Sequence, residues 1–147
     1  MGADGLFPVI APAMEKVNYF EALNGRTVAE DGFVWLHKDA TFSALGLILR
    51  QDDTDVIKRF SQRVNKLLDH GVTPFMVFDG KRTTGKLVNA ERAKARHEAR
   101  QTALKLHAAG DKVGAEKWAK QAISVTQSMV YNVIHQVLRP RGIRSDK

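Results

Sequence analysis

Two aspartates in this chain sit where chemistry is usually placed. Asp31 closes the stretch Thr27-Val28-Ala29-Glu30-Asp31, Asp79 closes the apolar run Phe75-Met76-Val77-Phe78, and each is followed at once by glycine, Gly32 or Gly80. Carboxylates at the carboxyl ends of buried strands are where open α/β sheets build their sites. A pair of them suits a hard divalent cation such as Mg²⁺, which takes oxygen ligands and keeps several waters. An ion so held activates water and stabilises an in-line phosphodiester displacement, and its two-metal form needs a surrounding cluster of acids. Lys86, shortly after Asp79, is placed to neutralise phosphate charge. Asp before Gly is also ordinary turn chemistry, and on these residues alone both readings stay open.

The elements around the two aspartates follow from periodicity. Four consecutive large apolar residues before Asp79 predict a strand buried on both faces. The turn signal Asn24-Gly25 precedes a first short strand, residues 27–31. Val34, Trp35, Phe42, Leu45 and Leu49 recur at roughly helical spacing and predict one helix from Phe33 to Leu49. Asp52-Asp53-Thr54-Asp55 offers N-caps to a second, whose face is Val56, Ile57, Phe60, Val64, Leu67 and Leu68 and whose end is His70-Gly71. A strand, helices and a strand joined by so long a crossover predict two parallel strands, with Asp31 and Asp79 at the same edge of one sheet.

After Asp79 the chain turns basic. From Leu87 to about Ala109 it is rich in Ala, Lys, Arg and Glu, a composition good for helix and poor for core. Gly110-Asp111-Lys112 breaks that helix, residues 115–123 give a short helix containing Trp118, and Thr126 caps a last one with the face Met129, Val130, Val133, Ile134, Val137, Leu138. Pro140 and Gly142 close it, and Ile143 begins another strand just before Lys147. The sheet is therefore expected to be incomplete and the chain to be a fragment. At the other end, residues 5–10 are expected to form a brief helix packed on the core.

Composition agrees with a single α/β domain: 147 residues, 44% hydrophobic and 27% charged. No cysteine is present, which excludes disulfides and cysteine zinc sites and makes an intracellular location the expectation. Neither a signal peptide nor a myristoylation pattern opens the chain, and no stretch approaches a membrane span. The net charge of +7 is uneven. Eight cations stand against two acids, Glu91 and Glu98, between Lys81 and Lys105, the footprint expected for a polyanion. Trp35 and Trp118 read as packing residues, and His70, His97, His107 and His135 show no metal-ligand spacing.

The N-terminal Met1-Gly2-Ala3-Asp4-Gly5-Leu6, residues 28–38 with Trp35-Leu36-His37-Lys38, residues 64–74 and Val77-Phe78-Asp79-Gly80 together resemble the N-terminal region of the flap endonuclease and XPG structure-specific nucleases, most closely the exonuclease-one branch. The likeness runs from Met1 to about Gly142. It implies a PIN-like, Rossmann-like parallel sheet flanked by helices, with residues 1–147 forming the N-terminal nuclease domain and 81–125 a basic helical arch. It implies cleavage of DNA near 5′ flaps, ends or junctions, in repair or replication, with Mg²⁺ or Mn²⁺ as cofactor. Asp31 and Asp79 match the first two metal-site carboxylates, and Gly2 the glycine beside the active site. Lys86 matches the basic residue that contacts the scissile phosphate, and His37 and Lys38 fall near the bent DNA junction. Arg92, Arg96 and Arg100 are the expected arch contacts to phosphate. A nuclear monomer is implied, with the C-terminal half of the nuclease domain as its missing partner.

Three positions depart from the family pattern. Ala93 stands where the arch carries an arginine, between Arg92 and Lys94; Glu30 replaces an apolar residue before Asp31; and Asp146 does not match the family's next carboxylates. The competing reading is a non-catalytic DNA-binding or interaction module of the same descent. An anion-binding Rossmann-like domain is weaker still, since no GxGxxG or P-loop occurs.

Overall fold

A three-stranded parallel sheet in the order β1-β2-β3 forms the spine of the computed structural model, which describes residues 6–14, 17–78 and 86–146. β1 (Thr27–Asp31) and β2 (Thr73–Val77) run in register from Thr27 opposite Thr73 to Asp31 opposite Val77. β3 (Ser145–Asp146) adds two residues alongside Met76 and Val77. The parallel pairing and the incomplete sheet agree with the sequence expectation.

Each crossover is helical. α3 (Gly32–Phe42), α4 (Ala44–Arg50) and α5 (Thr54–Asp69) link β1 to β2. α6 (Lys86–Ala108), α7 (Lys112–Ala122) and α8 (Gln127–Val133) link β2 to β3. Before β1 lie two short helices, α1 (Leu6–Ile10) and α2 (Tyr19–Leu23). Parallel crossovers are right-handed, so strands laid down in sequential order receive both sets of helices on the same face.

This one-sided cover corrects the expectation for β2. Pro74 and Met76 are buried, but Thr73 and Val77 are exposed and Phe75 is only half-buried. Phe75 is covered partly by the Arg144 guanidinium, 5.7 Å from its ring centroid. The apolar run reads as doubly buried, yet the second face has no helix layer among the described residues.

The core lies between the sheet and α3, α5 and α8. Leu36, Val56, Phe60, Val64, Met76, Val130, Val133 and Leu138 are fully buried there. α5 carries the predicted face, with Leu68 at its margin. Its start differs in detail: the Asp52 carboxylate takes the Thr54 N–H at 2.9 Å, while Asp53 accepts from Asn132 Nδ2 at 2.9 Å and so ties α5 to α8.

Two further expectations change. The single helix over residues 33–49 is two, broken at Ser43, where the backbone leaves helical geometry (ψ 15°). The Thr41 hydroxyl bonds back to the His37 carbonyl at 2.7 Å just before the break, a contact that bends helices. In the N-terminal piece α1 leads into a short 3₁₀ turn, and residues 8–14 stand in solvent instead of on the core, with Val9 75% and Met14 54% exposed.

Where α3 crosses α5 the interior holds a charged pair. Asp39, 2% exposed, accepts from Arg63 at 2.5 Å, and Arg63 lies 4.8 Å over the Trp35 ring. Burial raises the Asp39 carboxyl above its ordinary range, while Arg63, Arg59 and Lys38 oppose that rise. Trp35 is thus a packing residue, tilted against Phe60 with ring centroids 5.4 Å apart.

Candidate active site

Asp31 is positioned by two elements at once. It is the last residue of β1 and the N-cap of α3, with its Oδ1 accepting the Val34 N–H at 2.9 Å. Oδ2 has no partner among the described residues, and the side chain is exposed. The carboxylate is therefore held in one orientation with an oxygen toward solvent.

Gly32 is not a turn glycine. It is buried at the first turn of α3, and a Cβ there would stand 2.3 Å from Phe78 Cε1. That contact presses the start of α3 against Phe78, the residue that follows β2. Asp31 immediately precedes Gly32, so the same contact backs the turn of α3 that carries it. Phe33 packs edge-on against the same ring, with centroids 5.7 Å apart. Gly32→Ala is expected to lower stability by about 1–3 kcal/mol, because the Phe78 ring must leave its rotamer or α3 must shift. Urea unfolding measures this, and an unchanged midpoint would contradict the contact.

Asp79 itself, Gly2 and Gly80 lie outside the described residues, as does the side chain of Lys86, whose backbone opens α6. Register places Asp31, Val77 and Asp146 in one row across the strand ends, on the face away from Met76. Asp146 is thus brought to the same sheet edge as Asp31, a placement the sequence does not reveal, because a two-residue strand has no periodicity. Glu30 points the other way. Its Oε1 accepts from the Tyr19 hydroxyl at 2.9 Å, and burial together with that bond pushes the Tyr19 hydroxyl above its usual value. Glu30 is hydrogen-bonded to Tyr19 and, as the preceding residue of the strand, falls on the opposite face from Asp31. Among the described residues no group of three or more His, Asp or Glu gathers to hold a metal.

His37 and Lys38 are exposed on α3, roughly 9–10 Å along the helix from Asp31 at about 1.5 Å per residue. With Val34, Thr41 and Phe42 they line an open, largely apolar hollow of about 540 Å³. Phe42 is 59% exposed, with Arg59 5.7 Å from its ring centroid. Val34 and Phe42 are absent from the sequence-based site, where they read as core positions of a helix.

α6 and α7 form an antiparallel pair turned at Gly110, whose φ of 85° is left-handed and favours glycine. Asp111 caps α7, accepting the Gly114 N–H at 2.9 Å. Ala99 and Ala103 face inward, and Arg92, Ala93, Lys94 and His97 are exposed. Arg96 and Arg100 are half-buried, and Arg100 lines a cleft of about 580 Å³ with Asp52, Asp53, Thr126 and Met129. The structure thus divides the three nominated arginines, leaving Arg92 to solvent and setting Arg100 at the body of the domain.

A parallel α/β domain with an oriented carboxylate at a strand end is an architecture that hosts many sites, and the fold alone defines no one activity. Residues 1–103 match the XPG N-terminal domain, and the chain belongs to that family. It is 35% identical over 144 residues to Exonuclease 1 of Arabidopsis thaliana, covering 97% of this chain and 19% of that protein. It is 34% identical over 148 residues to Exonuclease 1 of Xenopus laevis, covering 97% and 19%. It is 32% identical over 146 residues to Exodeoxyribonuclease 1 of Schizosaccharomyces pombe, covering 99% and 25%. The chain spans a fifth to a quarter of the length of these curated relatives. No described helix is long and apolar enough to cross a membrane.

Proposed function

We propose that this chain is the first part of a metal-dependent 5′ structure-specific DNA nuclease, of the flap endonuclease or 5′–3′ exonuclease type, working in DNA repair or replication in the nucleus. The observation that carries the reading is Asp31: a strand-end carboxylate, fixed by the Val34 N–H and backed by the Gly32–Phe78 contact, in a parallel register with the strand that leads to Asp79.

The donors suit Mg²⁺ or Mn²⁺. Asp31 offers a hard, oriented, solvent-facing oxygen, and an exposed site lets the ion keep its waters. Asp31 and Asp79 would hold the ion, which supplies a polarised phosphate oxygen and an activated water. The protein's own part is positioning. The Val34 N–H fixes the carboxylate plane, Lys86 meets phosphate charge, and the hollow around His37 and Lys38 takes duplex at its bend. Arg92 and its neighbours on α6 hold phosphates without reading sequence.

Grafting tests this. The chain put in place of the matching stretch of the Arabidopsis relative is expected to give a protein that cuts a labelled 5′-flap duplex. Asp31→Asn or Asp79→Ala within the graft should slow cutting at least a thousandfold. The chain alone, with two of the needed carboxylates, is expected to cut little or not at all. A folded graft indifferent to both substitutions would favour the non-catalytic DNA-binding reading.

A further inference from the structure

The last helix does more than cover the core. α8 continues through a π-turn, Ile134–Leu138, in which the Arg139 N–H bonds the Ile134 carbonyl; such turns inside helices are costly and recur at functional positions. Its inward side is filled by Met129, Val130, Val133, Val137 and Leu138. Both ends are pinned to α5. Asn132 bonds Asp53 at 2.9 Å, and Arg141 bonds Asn65 at 2.8 Å and Ser61 at 2.9 Å. The helix is therefore a fixed rail.

On the outer side of that rail stands a ladder of flat groups. Tyr131 is 57% exposed and stacks on His135, with ring centroids 3.9 Å apart at 27°. Arg139 Nη1 lies 3.5 Å from His135 Nδ1 and continues the ladder into solvent. Along the chain the segment that holds the stripe carries one sign of charge: from Lys117 to Ser145 there are six Lys and Arg and no acid. α5 contributes neutral Ser61 and Asn65 at that side, and Asp53 is engaged by Asn132. Tyr131 to Arg139 spans roughly 12 Å of helix, about the length of three to four stacked nucleotides.

We propose that the Tyr131–His135–Arg139 stripe is a second nucleic-acid contact that takes single-stranded DNA, with a base stacked on the Tyr131 ring and a phosphate held by Arg139. The inference rests on the chain being a DNA-acting protein. It adds a surface on the helix-covered side of the sheet, away from Asp31. Every base has a π-face, so stacking on an exposed ring with a cation at the end of the ladder accepts any sequence. The guanidinium supplies the charge-assisted bond to phosphate. An acidic peptide would use the cations but has no need of a stacked Tyr–His pair.

Fluorescence anisotropy of the whole chain with labelled (dT)20 and, separately, a blunt duplex tests this. Tyr131→Ala should weaken (dT)20 binding about tenfold, within the range measured for single stacking residues, and leave the duplex within twofold. Tyr131→Trp should restore it. Arg139→Ala should weaken (dT)20 and lower its salt slope by roughly one. Circular dichroism confirms folding; if Tyr131→Ala unfolds, Tyr131→Leu takes its place, with the same loss expected. The proposal is overturned if the folded Ala or Leu variant binds (dT)20 as the parent does, or if poly-glutamate displaces (dT)20 at equal concentration and depends on Tyr131. If neither DNA binds, the nuclease reading fails with it; if the duplex binds and Tyr131 is silent, only this contact fails.

Discussion

Charge reversal in the first half of α6, as Arg92→Glu, Lys94→Glu and Arg96→Glu together, is expected to weaken duplex DNA binding about 100-fold at low salt and to flatten its salt dependence by a slope of roughly 2.7. Each cation that neutralises a phosphate releases counterion, at about 0.9 in the slope per contact, so three lost contacts set the change. Arg92 and Lys94 are exposed and Arg96 half-buried. Lys94 lies across the helix from the buried Ala99 and Ala103, whereas Arg92 and Arg96 precede them on the same stripe by one to three turns, so circular dichroism of the triple variant accompanies the binding measurement. Arg100→Glu is a different experiment. Arg100 shares its cleft with Asp52 and Asp53, and reversal there sets a third acid beside two, which acts on stability as well as on DNA. Binding measured from 50 to 200 mM salt separates the two. An unchanged slope for the triple variant would remove α6 as the electrostatic footprint.

Much of the fold is legible in the sequence because single residue types decide it. Thr27 to Asp31 reads as a strand, α5 as a helix with one apolar face, and Thr126 as a cap whose hydroxyl takes the Met129 N–H at 3.2 Å. What escapes depends on the neighbouring layer. Phe75 to Phe78 reads as doubly buried, since apolarity does not say whether a second layer is present to cover Val77. The break at Ser43 and the π-turn at Ile134–Leu138 leave no signature, because both keep helix-compatible residues and differ only in backbone bonding.

The site shows the same division. Asp31 is legible as a strand-end carboxylate, since a turn glycine signal and a short β-type run precede it. For Gly32 the sequence offers only the choice between a site role and turn chemistry. Its need is room for the Phe78 ring, a contact between residues 46 positions apart that no local pattern records. Asp146 is invisible for the converse reason: only pairing with β2 brings it to the row that holds Asp31.

Manganese binding tests the central claim most directly, because Mn²⁺ takes the same oxygen ligands as Mg²⁺ and its free form is counted by electron paramagnetic resonance. Asp31→Asn is the informative variant: Asn caps a helix about as well as Asp, so the start of α3 survives while the ligand charge is lost. Asp31→Ala would add a loss of about 1 kcal/mol from the missing cap and blur the result. Titrating the chain with Mn²⁺ is expected to show binding that Asp31→Asn and Asp79→Asn each weaken at least tenfold with no change in unfolding midpoint. Binding of equal strength in the parent and both variants would contradict a metal site at these two strand ends.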